Sequence, residues 1–445
     1  TTTVHGPNTA TQSVCQSPTP PALFGVRAEF VATHREESAR LLAGMNVAAN
    51  SLRSAWFALG SLAGLLVLAF WLASNDTVDP NAPVSLLIGA ALGLAFERGR
   101  FCFFCLFREA FEERKTRQLN SIVTAIAVGA IGYALLFSLY LPNPKGEGLP
   151  PAAHISPVSL PLVAGAFAFG IGMVLSGACI SGHLYRIGQG YLRAVPALLG
   201  SLIGFGLGFF TWNTLYLEQV SESPVLWLPR WFGYSGSLLI VLLVAIVVAA
   251  LLVKWDRSPD DTTHPNGASR LSSLSDVYEL VLVRRWSPVA TGAIVGGIGI
   301  AAYLRTTPLG VTSQLSTLSR SYLDAQNALP EVLHGIDMMR GCVALVTTAI
   351  TNNGWLVIGF VAASLAAAVG GGRFKMQKPT IGNSVTALVG GVLLGWGSLT
   401  ALGCTVGVLL SGTQAFAVSG IVFLVVVAFA VWVGTKLRLH RLFGA

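Results

Sequence analysis

One pattern occurs twice in this chain, 225 residues apart: Gly165, Gly170, Gly172, Cys179 and Gly182 recur as Gly390, Gly395, Gly397, Cys404 and Gly407. Each copy starts in an apolar run and ends in a glycine-rich break that carries a cysteine, FGIGMVLSGACISGHLYRIGQG in the first and GWGSLTALGCTVG in the second. Composition alone does not produce a fixed spacing of this kind. The surroundings say where it belongs: the chain is 53% hydrophobic and 11% charged, whereas a soluble domain carries about a quarter charged residues. Several apolar stretches approach the roughly 20 residues that span a bilayer as helix. Backbone in lipid must satisfy its own amides, so the expected fold class is an all-α polytopic membrane protein.

Ten spans are predicted, at about 54–74, 82–97, 119–141, 159–178, 191–213, 236–253, 287–304, 355–370, 382–402 and 415–436. Segments 98–118, 179–190, 305–353 and 403–414 are too interrupted to cross in the same way, which makes re-entrant or broken helices the expectation there. With a cytoplasmic N-terminus, every basic residue except Lys145, Arg230, Arg305, Arg320 and Arg340 falls on the inside, and that bias puts both termini in the cytoplasm. The same count orients the two copies oppositely, so the expected plan is an inverted-topology repeat, as in transporters whose site lies between the halves. The boundaries are 1–50 for a polar N-terminal extension, 54–74 for an extra span, 82–213 for the first unit, 214–286 for a further span and cytoplasmic linker, 287–436 for the second unit and 437–445 for a basic tail. The extension begins as a disordered stretch and contains one weakly amphipathic helical segment, VRAEFVATHREESARLLAGMN; no signal peptide is expected in it.

The net charge of +8 fits topology in a membrane protein, and no nucleic-acid partner follows from it. Six cysteines, at 15, 102, 105, 179, 342 and 404, are too few and too scattered for a disulfide framework. Cys102-x-x-Cys105 lacks the second Cys or His pair of a zinc site, and no cofactor is implied. No carboxylate dyad, nucleophile triad, phosphate loop or dinucleotide fingerprint occurs. Ionisable residues are nearly absent from the spans, which leaves little for a buried proton relay.

What the breaks can do follows from their chemistry. Non-helical backbone at membrane depth lines a cavity or is buried in protein; glycine lets it approach a ligand; and a helix starting after the break offers free N–H groups to an anion. Cysteine adds a soft sulfur with a weak S–H donor. The combination suits an anion that contains sulfur, with Cys179 and Cys404 facing one another and Gly177, Gly182, Gly403 and Gly407 supplying backbone. Close helix packing alone is the simpler explanation for Gly200, Gly204 and Gly208. Cys102 sits where the preceding span breaks and joins the expected pathway, whereas Cys105 reads as a buried apolar residue among phenylalanines. At the matching place in the second unit stands RTTPLGVTS, where Thr306, Thr307 and Thr312 either bond an anion or cap the next helix. Arg108 and Glu109 are expected to pair, Arg98 and Arg100 to set topology, and Arg186 either to attract an anion or to set topology. Cys15 and Cys342 have no assigned role.

At GIGMVLSGACISGHLYRIGQG, GRFCFFCLFRE and GWGSLTALGCTVG the sequence resembles the YeeE/YedE family of sulfur-transport membrane proteins, over roughly 82–436. The resemblance implies an hourglass-shaped bundle whose re-entrant loops meet near the centre. It also implies import of thiosulfate across the bacterial inner membrane, without an enzymatic step, along Cys102, Cys179 and Cys404 by S–H···S and backbone contacts. A small TusA-like sulfur carrier at the cytoplasmic face is the implied partner. Two alternatives are a membrane sulfurtransferase that forms a cysteine persulfide, and transport of another sulfur or selenium species.

Overall fold

A computed structural model describes residues 54–146, 148–257, 278–336 and 345–439. The expected N-terminal helix, Cys15, Cys342 and the middle of the linker lie outside them. The described chain is helical: α1 (Ser54–Ala73), α2 (Ala82–Gly99), α3 (Phe103–Glu113), α4 (Asn120–Tyr140), α5 (Leu160–Ser176), α6 (Ile180–Gly188), α7 (Ala194–Leu215) and α8 (Pro229–Trp255) come first. They are followed by α9 (Pro288–Arg305), α10 (Ser313–Ala325), α11 (Asn352–Gly370), α12 (Ile381–Thr400), the π-helical α13 (Thr405–Gly412) and α14 (Val418–Lys436). Among the described residues nine helical segments, with α5 and α6 taken together, are long and apolar enough to cross a membrane. A helix also forms at the expected span 82–97, as α2, whose last turn carries Glu97 and Arg98.

Helices α2 to α7 and α9 to α14 repeat one order, long helix, short helix, long, long, short, long. Their packing exchanges accordingly. Helix α2 packs on α11 as α9 packs on α4, α7 on α12 as α14 on α5, α3 on α14 as α10 on α7, and α6 on α11 as α13 on α4. At the centre α5 meets α12, where a Cβ on Gly165 or Gly397 would come within 2.5–2.8 Å of the other's carbonyl oxygen. The pair Gly172 and Gly390 meets at 2.7–2.8 Å in the same way. Because Gly390 and Gly397 are the repeat mates of Gly165 and Gly172, exchanging the repeats turns each of these contacts into the other, the signature of a two-fold relation. The two helices run antiparallel, and only glycine allows this approach. Gly200 and Gly204 play the expected packing role against the Leu388 and Val392 carbonyls.

Helix α8 buries little of itself and exposes Leu239, Leu243, Val244, Ile246 and Val247. An apolar surface of that length is solvated by acyl chains.

Arg98 is not the surface topology charge that its loop position implied. It is fully buried and bonds Glu97 at 2.7 Å and the Leu282 carbonyl. The Glu97 carboxylate also takes a two-pronged contact from Arg373, at 2.8 and 3.1 Å. One buried carboxylate thus ties the end of α2 to the loop that precedes α12 and is shared by two guanidinium groups. The Arg108–Glu109 pairing is also corrected: Arg108 lies 3.9 Å from Glu112 one turn on, and Glu109 lies 3.9 Å from Arg100.

Candidate functional site between two cavities

Each repeat contains two broken helices, and the breaks place their key residues alike. Cys102 precedes α3, Cys179 precedes α6, Thr312 precedes α10 and Cys404 precedes α13, each at the N-cap position. An N-cap residue sits beside the unsatisfied amides of the first turn, so each lies at the positive end of a helix. The three cysteines are 0–1% exposed.

The α5–α6 break leaves one positive helix end exposed to the gap between the helices. Helix α5 stops at Gly177, whose φ of 89° suits glycine, and the chain restarts three residues later. Arg186 Nη1 donates to the Gly177 carbonyl at 2.8 Å and Arg193 Nη2 to the Leu175 carbonyl at 3.0 Å. Two guanidinium groups therefore neutralise the negative end of α5 and leave the positive end of α6 uncompensated. Cys179 Sγ lies there, accepts from the Gly182 amide at 3.4 Å and is 3.2 Å from Ser181 Oγ. A Cβ on Gly182 would stand 3.2 Å from the Cys102 sulfur and 3.4 Å from the Cys179 sulfur. Any side chain at 182 would fill the space between the two thiols.

The thiols form a connected line. The Cys102 side chain lies beside those of Cys105 and Cys179. The Thr405 side chain, adjacent to Cys404 in sequence, lies beside Cys179. Cys105 corrects its sequence reading: it is half-buried rather than sealed among phenylalanines, and it accepts from Arg186 Nη2 at 2.9 Å. Its Cys-x-x-Cys spacing, with Cys102 as N-cap, brings the two sulfurs together, which was the available signal. Thr405 had no signal, because its partner is far away in sequence.

In the second repeat Thr312 is 1% exposed, makes no cap bond, and its hydroxyl has no hydrogen-bond partner among the described residues. The capping alternative is therefore set aside at Thr312. Thr306 turns its hydroxyl back to the Ala302 carbonyl at 3.0 Å. The loop before Thr312 is tied to α13 by Ser411 Oγ, which donates to the Leu309 carbonyl at 3.1 Å. Gly403, at φ 155°, and Gly407 are buried on either side of Cys404.

Two cavities flank this line. One, of about 520 Å³, is lined by residues 149–157 with Phe205, Ser398, Leu399 and Leu402, and contains no Asp, Glu, Lys or Arg. The other, of about 490 Å³, is lined by Cys105, Tyr185 and Gln189 and by Arg100, Arg186, Arg285, Arg373 and Lys375, against the single acid Glu109. Helix α5 starts beside the neutral cavity, and α6, which follows it, ends at the basic one. Helix α12 starts beside the basic cavity and ends at the neutral one. The cavities therefore lie at opposite ends of the α5–α12 pair, with the cysteines closed off between them.

Residues 98–433 match the sequence profile of a family described as sulphur transport. The chain belongs to that family. Within the sulphur transport family, similar proteins include one from Spirochaeta thermophila named thiosulfate transporter TsuA, 28% identical over 75% of this chain and 92% of that protein. The Escherichia coli protein of the same name is 24% identical over 79% of this chain and 93% of its own length. A probable transporter named YedE, also from Escherichia coli, is 29% identical over 45% of this chain and 47% of that protein. The chain is accordingly a multi-pass membrane protein of a sulfur-transporting family.

Proposed function

We propose that this protein imports thiosulfate through the bacterial inner membrane, from the neutral cavity past Cys404, Cys179 and Cys102 to the basic cavity. The observation that carries the reading is the line of buried sulfurs at helix N-termini between two cavities. Each N-terminus stabilises negative charge, each thiol can donate to the terminal sulfur of the anion, and backbone from Gly177, Gly182, Gly403 and Gly407 can approach it closely. The unpartnered Thr312 hydroxyl supplies a further donor. The basic cavity faces the cytoplasm in this reading, as do both termini, because the basic loops gather on that side. A small TusA-like sulfur carrier is the acceptor that we assign to that face, and residues 82–213 and 287–436 act as the two inverted units. The relatives named thiosulfate transporter support the cargo.

The test is uptake of labelled thiosulfate in cells lacking their own importers. Cys102→Ala, Cys179→Ala and Cys404→Ala each reduce it while the protein remains in the membrane; full activity in all three refutes the cysteine route. One observation favours a second reading, transfer of sulfur to the protein. The Cys179 sulfur accepts from the Gly182 amide at the start of α6, and a helix N-terminus favours thiolate.

A further inference from the structure

We propose that Cys105 and Arg186 form an anion-binding subsite at the head of the basic cavity, which receives a small sulfur oxyanion after it leaves Cys102. The proposal rests on the thiosulfate reading and adds a station to it that the three-cysteine route does not contain. Arg186 lies on α6, two turns after Cys179, and its Nη1 is anchored on the Gly177 carbonyl at 2.8 Å. Its Nη2 lies 2.9 Å from Cys105 Sγ, and both residues line the cavity.

A thiol is a weak acceptor for a guanidinium. Among the described residues Arg186 has no carboxylate within 4.0 Å, whereas Arg100 and Arg373 in the same cavity are matched by Glu109 and Glu97. Arg285 and Lys375 also lack such a partner among the described residues. The cavity therefore holds uncompensated positive charge around a guanidinium whose second prong rests on a thiol sulfur, with Tyr185 beside it. An oxyanion oxygen makes a stronger, charge-assisted bond to that prong. Displaced from Arg186, the Cys105 thiol is free to donate to the terminal sulfur of the same ion. Cys105 lies beside Cys102, so the ion passes from one thiol to the next without crossing empty space.

The experiment uses the purified full-length protein in nanodiscs, with both faces open. Alkylation of Cys105 by iodoacetamide is followed by peptide mass spectrometry with and without thiosulfate, with sulfate at equal ionic strength as the control. Thiosulfate slows alkylation of Cys105 severalfold in the wild type and in Cys179→Ala. Arg186→Lys keeps the charge but loses the fork, so half-protection requires about tenfold more thiosulfate. Arg186→Gln, checked for an unchanged elution profile, loses protection. An unchanged alkylation rate in the wild type overturns the subsite, as does full protection in Arg186→Gln, or protection that disappears in Cys179→Ala. Failure of the cysteine route is a separate result: full uptake in Cys102→Ala, Cys179→Ala and Cys404→Ala alike removes the route while leaving the protection data intact.

Discussion

At the α5–α6 break the chain turns through Gly177 at φ 89° and restarts at Cys179; at the α12–α13 break it turns through Leu402 at φ 59° and restarts at Cys404. Residues 177 and 402 are repeat mates, so the left-handed turn is kept while its residue differs. Charge differs more. Two arginines hold the carbonyls that end the first break, whereas the second lies beside a cavity lined by no charged residue and continues as a fully buried π-helix. A common backbone device thus serves two electrostatic settings. An anion that enters from the neutral cavity meets increasing positive charge as it moves from Cys404 to Cys179 and on to Arg186.

The comparison makes the two cysteines unequal. Cys179 bonds Ser181 and the Gly182 amide and lies beside Cys102 and Thr405, so its thiol is the junction of the proposed route. Hydrogen bonds to charged groups contribute roughly 1.5–3 kcal/mol, and Cys179→Ala is expected to reduce thiosulfate uptake by about 10- to 100-fold. Cys404→Ala reduces it less. Initial uptake rates in proteoliposomes check the order, and a more severe Cys404 variant reverses the comparison.

The basic side is also the one braced by ions. Glu97→Gln leaves Arg98 and Arg373 without their shared carboxylate, and an expected loss of about 3–5 kcal/mol follows from stranding buried charge. A thermal-unfolding midpoint within a degree or two of wild type contradicts that role. The turns themselves give a smaller contrast. Gly177→Ala places a Cβ in a left-handed position and costs about 1–2 kcal/mol. Leu402→Gly relieves such a position and changes stability by less than about 1 kcal/mol. Equal costs at both sites mean that the turns are not equivalent.

The smallest effect lies at the neutral cavity. Burial holds the His154 imidazole down to about 4, below its ordinary value of 6.5. Between those values the unfolded chain binds the additional proton, so stability falls as pH drops from about 6.5 towards 4 and is insensitive to this group above that window. Melting curves across the window are expected to have a shallower pH slope in His154→Gln than in wild type; identical slopes remove His154 as the source.

Much of this was legible because it repeats. The spacing of Gly165, Gly172 and Cys179 against Gly390, Gly397 and Cys404 identified the central helix pair, and the distribution of basic residues implied its inversion. What escaped the sequence depends on contacts made only by tertiary closure. Arg98 looks like one more basic residue in a loop until Arg373, from the other half, closes on Glu97. Cys105 looks like a filler until Arg186, 81 positions away, points at its sulfur. Thr405 follows Cys404 without any motif, and its hydroxyl acquires meaning only beside Cys179. The span expected over 82–97 forms as α2, but nothing in the sequence shows that the charged pair in its last turn is buried.

The central claim is that the anion passes between the cavities intact, held by thiols and helix N-termini rather than cleaved by them. Thiosulfate labelled at either sulfur, supplied to proteoliposomes of the purified protein, tests it most directly. The account predicts that both labels accumulate inside in equal amounts and that peptide mass spectrometry finds Cys179 as a free thiol. A persulfide on Cys179 with the matching sulfite left outside contradicts it.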